Sequence, residues 1–222
     1  MENIFEKMGI YDLFGLLIPG MFFLGYLIAV DCPLLGFFNA PQAGAIQGIL
    51  FIVFSYILGS LMQEIASSVE KKTGLGRERA YENYLSDLKL NEEEMKDIKK
   101  EVCILNGKRD EKEKEEDLTP VECRNAFFIC KAQLENQGKM DKADQYDGIY
   151  CMSRNLLVCN LMILFSLIVC GLLSGSFQCS QTVVVLIYCA FSSPLFAYKA
   201  KRYSEMRIRT ILRQYMNLKK SE

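Results

Sequence analysis

The residues best placed to do chemistry in an apolar part of this chain are Gln63 and Glu64, which directly follow the hydrophobic segment FSYILGSLM. An acid at the centre of a membrane is costly and usually functional, whereas one at the membrane surface costs little. A hydrocarbon core entered near Gly44 ends roughly 20 residues later, which places Glu64 at the interface. The simpler interpretation is a helix leaving the membrane. The alternative is a ring of Gln63 and Glu64 side chains at the mouth of an oligomeric cation pore.

Asn160 is the second polar residue of interest, because it lies inside another apolar segment. It is interpreted either as a hydrogen-bonding residue between helices or as a pore-lining side chain. The chain contains no His, which excludes His-based catalytic triads and imidazole metal sites. The segment GLGRER at 74–79 lacks the Lys-Ser/Thr end of a phosphate-binding loop. The sequence therefore predicts neither an enzyme nor a bound cofactor or metal.

Four apolar segments without a single charged residue must position these side chains. They occupy residues 13–30, 44–62, 155–173 and 182–198. At ~1.5 Å per residue each reaches roughly 26–28 Å, close to the thickness of a bilayer core. The sequence thus predicts an all-α membrane protein with four transmembrane helices.

The basic residues predict the orientation of these helices. All 26 Lys and Arg residues lie outside the loops 31–43 and 174–181. Because Lys and Arg are concentrated in cytoplasmic loops, both termini and the central region should be cytoplasmic (N-in, C-in). The predicted domains are an interfacial segment and transmembrane hairpin (1–69, the second helix reaching about 66), a helical cytoplasmic insert (70–154), a second hairpin (155–198) and a basic amphipathic tail helix (199–222).

Small residues recur at steps of four and seven along the second span, as close helix packing in lipid requires. They are Gly44, Gly48, Ser55, Gly59 and Ala66. This face is predicted to hold the four helices together, with a second role in joining the subunits of a homo-oligomer as the alternative. Hinges are expected at Pro19–Gly20 and at Pro194, because proline removes a backbone donor from a helix.

Two of the nine cysteines, Cys32 and Cys179, fall in the predicted outer loops, where a disulfide can persist. The alternative is two free thiols.

The insert carries several helix signals. Asn91 followed by Glu94 predicts one helix N-terminus, and TPVE at 119–122 predicts a capping box with proline at the first helical position. The second of these helices should end at Gly138. A further helix should run from about Asp141 directly into the third span.

The tail 199–222 is strongly basic, with eight Lys or Arg against two acids. It is expected either to lie on anionic lipid headgroups or to dock on the insert, which holds 17 basic and 20 acidic residues. Nucleic-acid binding is a less favoured third alternative. The basic residues expected to face lipid are Lys201, Arg202, Arg207, Arg209 and Arg213.

Two function classes fit this layout. The first is an oligomeric membrane effector that perturbs the membrane or conducts across it when a cytoplasmic signal or partner triggers it. The second is a non-conducting sensor or scaffold that recruits a cytoplasmic protein. A small transporter is less favoured, because the sequence shows no inverted repeat.

Three segments, IYDLFGLLIPG, FSYILGSLMQEIAS and YCMSRNLL, resemble small bacterial inner-membrane proteins. The four-span layout is similar to that of the membrane subunit of the Kiwa antiphage system and of membrane accessory proteins of CRISPR loci. The resemblance implies a multi-pass protein of the bacterial inner membrane that acts in antiviral defence, with a cytoplasmic partner from the same locus. It covers topology only, and it assigns a role to no individual residue.

Overall fold

A computed structural model describes residues 12–30, 44–73, 77–82, 84–87, 91–107, 118–174 and 179–221. Every regular element in these ranges is a helix, which confirms the predicted all-α class. The elements are α1 (Asp12–Leu17, π-helical), α2 (Ile18–Ala29), α3 (Gly44–Thr73), α4 (Arg77–Glu82), α5 (Tyr84–Asp87), α6 (Glu92–Leu105), α7 (Pro120–Asn136), α8 (Asp141–Ser174) and α9 (Cys179–Ser221). Cys32 lies outside the described residues, and so does any pairing of it with Cys179.

Among the described residues, three stretches of helix are long and apolar enough to cross a membrane. They are Gly44–Glu70, Asp141–Val169 and Thr182–Lys220. The first predicted span is a shorter apolar helix, Leu13–Ala29. These helices indicate a membrane protein.

The chain divides into two compact units. The span unit comprises Met1–Val69 and Gly148–Lys201, and the charged unit comprises Glu70–Asp147 and Arg202–Glu222. All three boundaries between the units fall inside helices, so that α3, α8 and α9 each contribute residues to both units. The expected continuation of the insert into the third span is therefore confirmed, since α8 is one helix from Asp141 to Ser174.

In the span unit, α1 and α2 both pack backbone against backbone on α3. A Cβ atom added to Gly20 would overlap the carbonyl oxygen of Ser55, and one added to Gly59 would overlap the carbonyl oxygen of Leu16. Lipid provides no hydrophobic drive between helices, so close approach at small residues supplies the packing energy instead. Glycine is required at these two positions because the opposing atoms are backbone and cannot rotate away.

Buried side chains complete the span unit. A cluster from four helices comprises Phe23, Met62, Cys159, Ile163 and Cys189. The rings of Phe22 and Tyr188 stack with their centroids 5.6 Å apart, and the hydroxyls of Tyr26 and Ser166 lie 3.0 Å apart. The second contact is a hydrogen bond between α2 and α8.

The charged unit is built around α7. Its buried face carries Cys123, Ala126, Phe127, Cys130 and Leu134. The predicted capping box is confirmed, because the Thr119 backbone N–H donates to Glu122 Oε2 at 2.9 Å and the Glu122 N–H donates to Thr119 Oγ1 at 3.4 Å. The helix ends at Asn136, and Gly138 follows in the left-handed region with φ of 65°.

The expected start of α6 is confirmed at Glu92, but the Asn91 side chain makes no capping hydrogen bond. The Glu94 carboxylate does accept a hydrogen bond from the Asn91 backbone N–H, and it also accepts one at 3.0 Å from Arg213 of α9. That bond holds the pKa of Glu94 below its ordinary value. The Glu94 half of the capping box is therefore present, and the same carboxylate also binds a residue of another helix.

Replacing Thr119 with alanine should lower the free energy of unfolding by about 1 kcal/mol, because two orphaned N–H groups lose their partners or their geometry. Asn91→Ala is the matched control, and it should have little effect because its side chain caps nothing. Thermal unfolding in mild detergent, followed by circular dichroism, compares the two. Equal losses at both positions would contradict the assignment.

Candidate functional site

Asn155 is a buried amide near one end of the span unit. It is fully buried, and its Nδ2 group donates to the Gly15 carbonyl at 2.6 Å and to Gln63 Oε1 at 2.7 Å. Both amide hydrogens are therefore used, and they join α8 to α1 and α3. Asn155 Oδ1 is buried without a donor among the described groups.

The Gly15 carbonyl needs this donor because of Pro19. In a regular helix the carbonyl of residue 15 accepts from the N–H of residue 19, and proline has none. In a membrane, a carbonyl freed by proline must find a partner on a neighbouring helix or in water. Asn155 supplies that partner, and the π-helical α1 immediately precedes Ile18, the residue before this proline.

Asn160 forms a second amide site on the same helix. It is also fully buried, and its Nδ2 group donates to Ser192 Oγ at 2.8 Å and to Ser193 Oγ at 3.1 Å. These serines immediately precede Pro194, which lies inside α9. Each of the two prolines in the described span helices therefore lies beside an asparagine of α8.

The Asn155 contacts also show where Glu64 lies along the helices of the span unit. Because one amide group bonds both Gly15 and Gln63, these two residues and Asn155 lie side by side on neighbouring helices. Glu64 follows Gln63 and Arg154 precedes Asn155, so the two charged residues lie near one level at the end of the apolar segments. The Glu64 side chain is exposed on the protomer. This position is that of a helix leaving the membrane, or of a residue at a pore mouth.

The remaining residues singled out from the sequence differ in burial. Those buried in the protomer are Ser55, Gly59, Ala66, Pro19, Gly20 and Arg207. Those exposed are Gly44, Gly48, Pro194, Lys201, Arg202 and Arg213, with Gln63 and Arg209 intermediate. The small-residue face of α3 is thus divided, because its second half packs against other helices while no described atom lies within 4 Å of a Cβ added at Gly44 or Gly48.

The tail half of α9 packs into the charged unit. Its buried apolar side chains, Ile208, Ile211, Leu212 and Tyr215, belong to the same cluster as the buried face of α7. The structure thus has the tail docked on the insert, one of the two arrangements left open by the sequence.

Arg207 occupies the interior of this packing. Its Nη1 donates to the Tyr81 hydroxyl at 2.8 Å and lies 3.3 Å from Asp147 Oδ1. The side chains of Arg207 and Asp147 are only 8% and 15% exposed, respectively. Arg207 therefore contacts protein rather than lipid in this structure.

Acids of α6 form further polar contacts with the tail. Glu101, 6% exposed, accepts hydrogen bonds from Tyr215 Oη at 3.1 Å and from Lys219 Nζ. Arg213 pairs with Glu94 at 2.8 Å, and Lys220 lies 3.5 Å from Asp97. The opposite net charges of tail and insert are matched at individual side chains.

The buried thiol and phenol groups of the charged unit are structural. Burial raises the pKa of Cys130 to about 12, with the nearby Glu101 carboxylate adding to the effect. Burial also raises the pKa of Tyr84 above its ordinary value. Because the thiolate is the reactive form of cysteine, Cys130 is unreactive near neutral pH.

Sequence reasoning did not single out Asn155, Asp147 or Glu101. Asn155 directly follows Arg154 and is the first residue of the apolar segment 155–173. The available signal was Pro19, which requires a donor from another helix for the carbonyl of residue 15. The two acids carry no comparable signal, because each is one of many charges in the central region.

No family model, curated protein or solved structure matches this chain.

Proposed function

We propose that the chain is a four-span protein of the bacterial inner membrane with both termini in the cytoplasm. In this proposal it assembles into homo-oligomers and, when a cytoplasmic signal or partner triggers it, perturbs the membrane or conducts ions across it. The assignment to antiviral defence rests on the layout resemblance. The shorter helix Leu13–Ala29, first in chain order, completes the set of four spans in this proposal. At 17 residues it is near the lower limit for crossing a bilayer.

The pair of proline–asparagine sites carries the proposal. Pro19 and Pro194 each remove one backbone hydrogen bond, from α1–α2 and from α9 respectively. The side-chain hydrogen bonds of Asn155 and Asn160 are made next to these two interruptions. Such bonds can exchange partners while the regular helix on either side stays intact, which is a physical basis for two arrangements of the span unit. Because both amides belong to α8, one displacement of that helix changes both sites.

Helix continuity supports the link to a cytoplasmic trigger. The same α8 helix begins in the charged unit, and α9 ends there with its tail buried against α6 and α7. A partner that repacks the charged unit therefore acts on residues of helices that also hold the two proline sites.

Glu64 is the proposed pore-mouth residue. Its exposure at the charged end of α3 leaves it available to face the same residue of other subunits. Glu64→Gln should lower cation selectivity in planar bilayers without changing assembly. Ser60→Ala, a neighbouring exposed polar position on α3, is the control. Unchanged selectivity in Glu64→Gln channels would reject the pore-mouth role. Glu64 would then only mark the point where the helix leaves the membrane.

A non-conducting sensor or scaffold is the second candidate. It is favoured by three exposed apolar side chains of the charged unit, Ile104, Val121 and Phe128, which are 43%, 62% and 42% exposed. The Asn106 side chain joins the end of α6 to the start of α7 by donating to Glu122 O at 3.1 Å. A contiguous apolar surface around these side chains would mark a partner-binding site.

Membrane potential in cells separates the two candidates. The chain is expressed alone and with its neighbouring genes, with and without phage challenge. Depolarisation that requires both a neighbour and challenge, and that Asn160→Leu abolishes at equal expression, supports the effector. An intact potential under every condition, with a cytoplasmic protein co-purifying, rejects the effector in favour of the scaffold.

A further inference from the structure

We propose that the Asn160 site binds a water molecule inside the span unit. Asn160 is fully buried, and its two amide hydrogens are directed to Ser192 and Ser193. Its Oδ1 atom is buried and has no hydrogen-bond donor among the described groups. A buried acceptor left without a donor is energetically costly, so a donor that reaches it is bound favourably.

Pro194 leaves a second acceptor on the same stretch of α9. It has no N–H to donate to the carbonyl of Ala190, four residues earlier in α9. Ala190 lies only two residues before Ser192, and so within a turn of both serines that hold Asn160. Water is a small molecule with two O–H groups, each of which donates one hydrogen bond. It can therefore donate to the Asn160 and Ala190 oxygens together.

The orientation of the amide favours water over an alkali cation. A cation at this site would need the serine oxygens as ligands, since carbonyl and hydroxyl oxygens are the ligand atoms that such ions prefer. Those same oxygens accept hydrogen bonds from Asn160 Nδ2, at 2.8 Å and 3.1 Å, which directs positively polarised hydrogens toward them. A water molecule that donates to Oδ1 is compatible with these bonds.

The site is also close enough to the charged end of the unit for water to reach it. Asn160 is six residues from Arg154 and Ser193 is six residues from Lys199. At ~1.5 Å per residue, each separation is about 9 Å along the helix. The proposal concerns a local hydration site and does not depend on whether the chain conducts.

Nuclear magnetic resonance of the full chain in detergent micelles, with asparagine side-chain amides labelled with nitrogen-15, tests the proposal. The Asn160 signal is identified by its loss in Asn160→Leu. We expect a cross peak between water and the Asn160 amide protons with the sign of long-lived, bound water. A parent protein whose Asn160 amide shows no such cross peak overturns the proposal.

Pro194→Ala is the matched variant, because it restores a donor to the Ala190 carbonyl and alanine favours a helix. The water cross peak should largely disappear while the Asn160 signal itself persists, which shows that the fold is intact. An unchanged cross peak in Pro194→Ala overturns the two-acceptor site. A shift of the Asn160 signal when sodium replaces choline, without a water cross peak, would show a cation in its place.

Discussion

Replacing Gly59 with leucine should prevent the span unit from folding. The first atom of the new side chain would overlap the Leu16 carbonyl, which is backbone and cannot rotate aside. Overpacking against movable side chains costs about 1–3 kcal/mol, and we expect a larger loss here because two helix axes must separate. Gel filtration in mild detergent and the rate of trypsin cleavage measure the effect, which should be aggregation and rapid digestion.

Gly48→Leu is the control on the same helix, since Gly48 is exposed and no described atom lies within 4 Å of the position of its missing Cβ. The Gly48 variant should elute and digest like the parent. A Gly59 variant that behaves like the parent would contradict the backbone contact. If Gly48→Leu lowers the oligomer size while the protomer stays resistant to trypsin, the first half of the small-residue face joins subunits.

Arg207→Met should be the most damaging single substitution in the tail. It removes a guanidinium that bonds Tyr81 and pairs with Asp147 in a largely buried setting. Loss of one member of a buried ion pair typically costs about 3–5 kcal/mol, because the other charge remains buried. Thermal unfolding of the full chain, followed by circular dichroism, measures the loss as a lower midpoint for the charged unit.

Arg202→Met is the control, because Arg202 lies on the same helix and is exposed. It should leave the midpoint almost unchanged. The double variant Arg207→Met, Asp147→Leu should recover part of the stability, since no charge is then left behind. Failure of the double variant to recover stability would show that Arg207 acts through something other than this pair.

Local signals in the sequence were sufficient for most helices. Thr119, Pro120 and Glu122 form a complete capping box, and its chemistry involves only four consecutive residues. The apolar run before Gln63 likewise predicts the apolar part of α3, because length and composition decide that element. Such features need no knowledge of the neighbouring helices.

Features that depend on which helix faces which could not be predicted in this way. The basic stripe of the tail fits an anionic lipid surface and an acidic protein surface equally well. Only packing of Ile208 and Ile211 into the charged unit places Arg207 inside it. Asn155 is a similar case, because an asparagine at the end of an apolar run has no visible partner until α1 and α3 are adjacent to it.

The bond between Asn155 and the Gly15 carbonyl has an evolutionary consequence. The carbonyl needs an outside donor only while residue 19 is proline, so natural selection acts on positions 19 and 155 as a pair. In divergent descendants of this sequence, exchange of Pro19 for a residue with an N–H should come first and release position 155 to become apolar. The reverse order passes through an intermediate with an unpaired, buried carbonyl, and descendants that kept proline while losing asparagine should be rare.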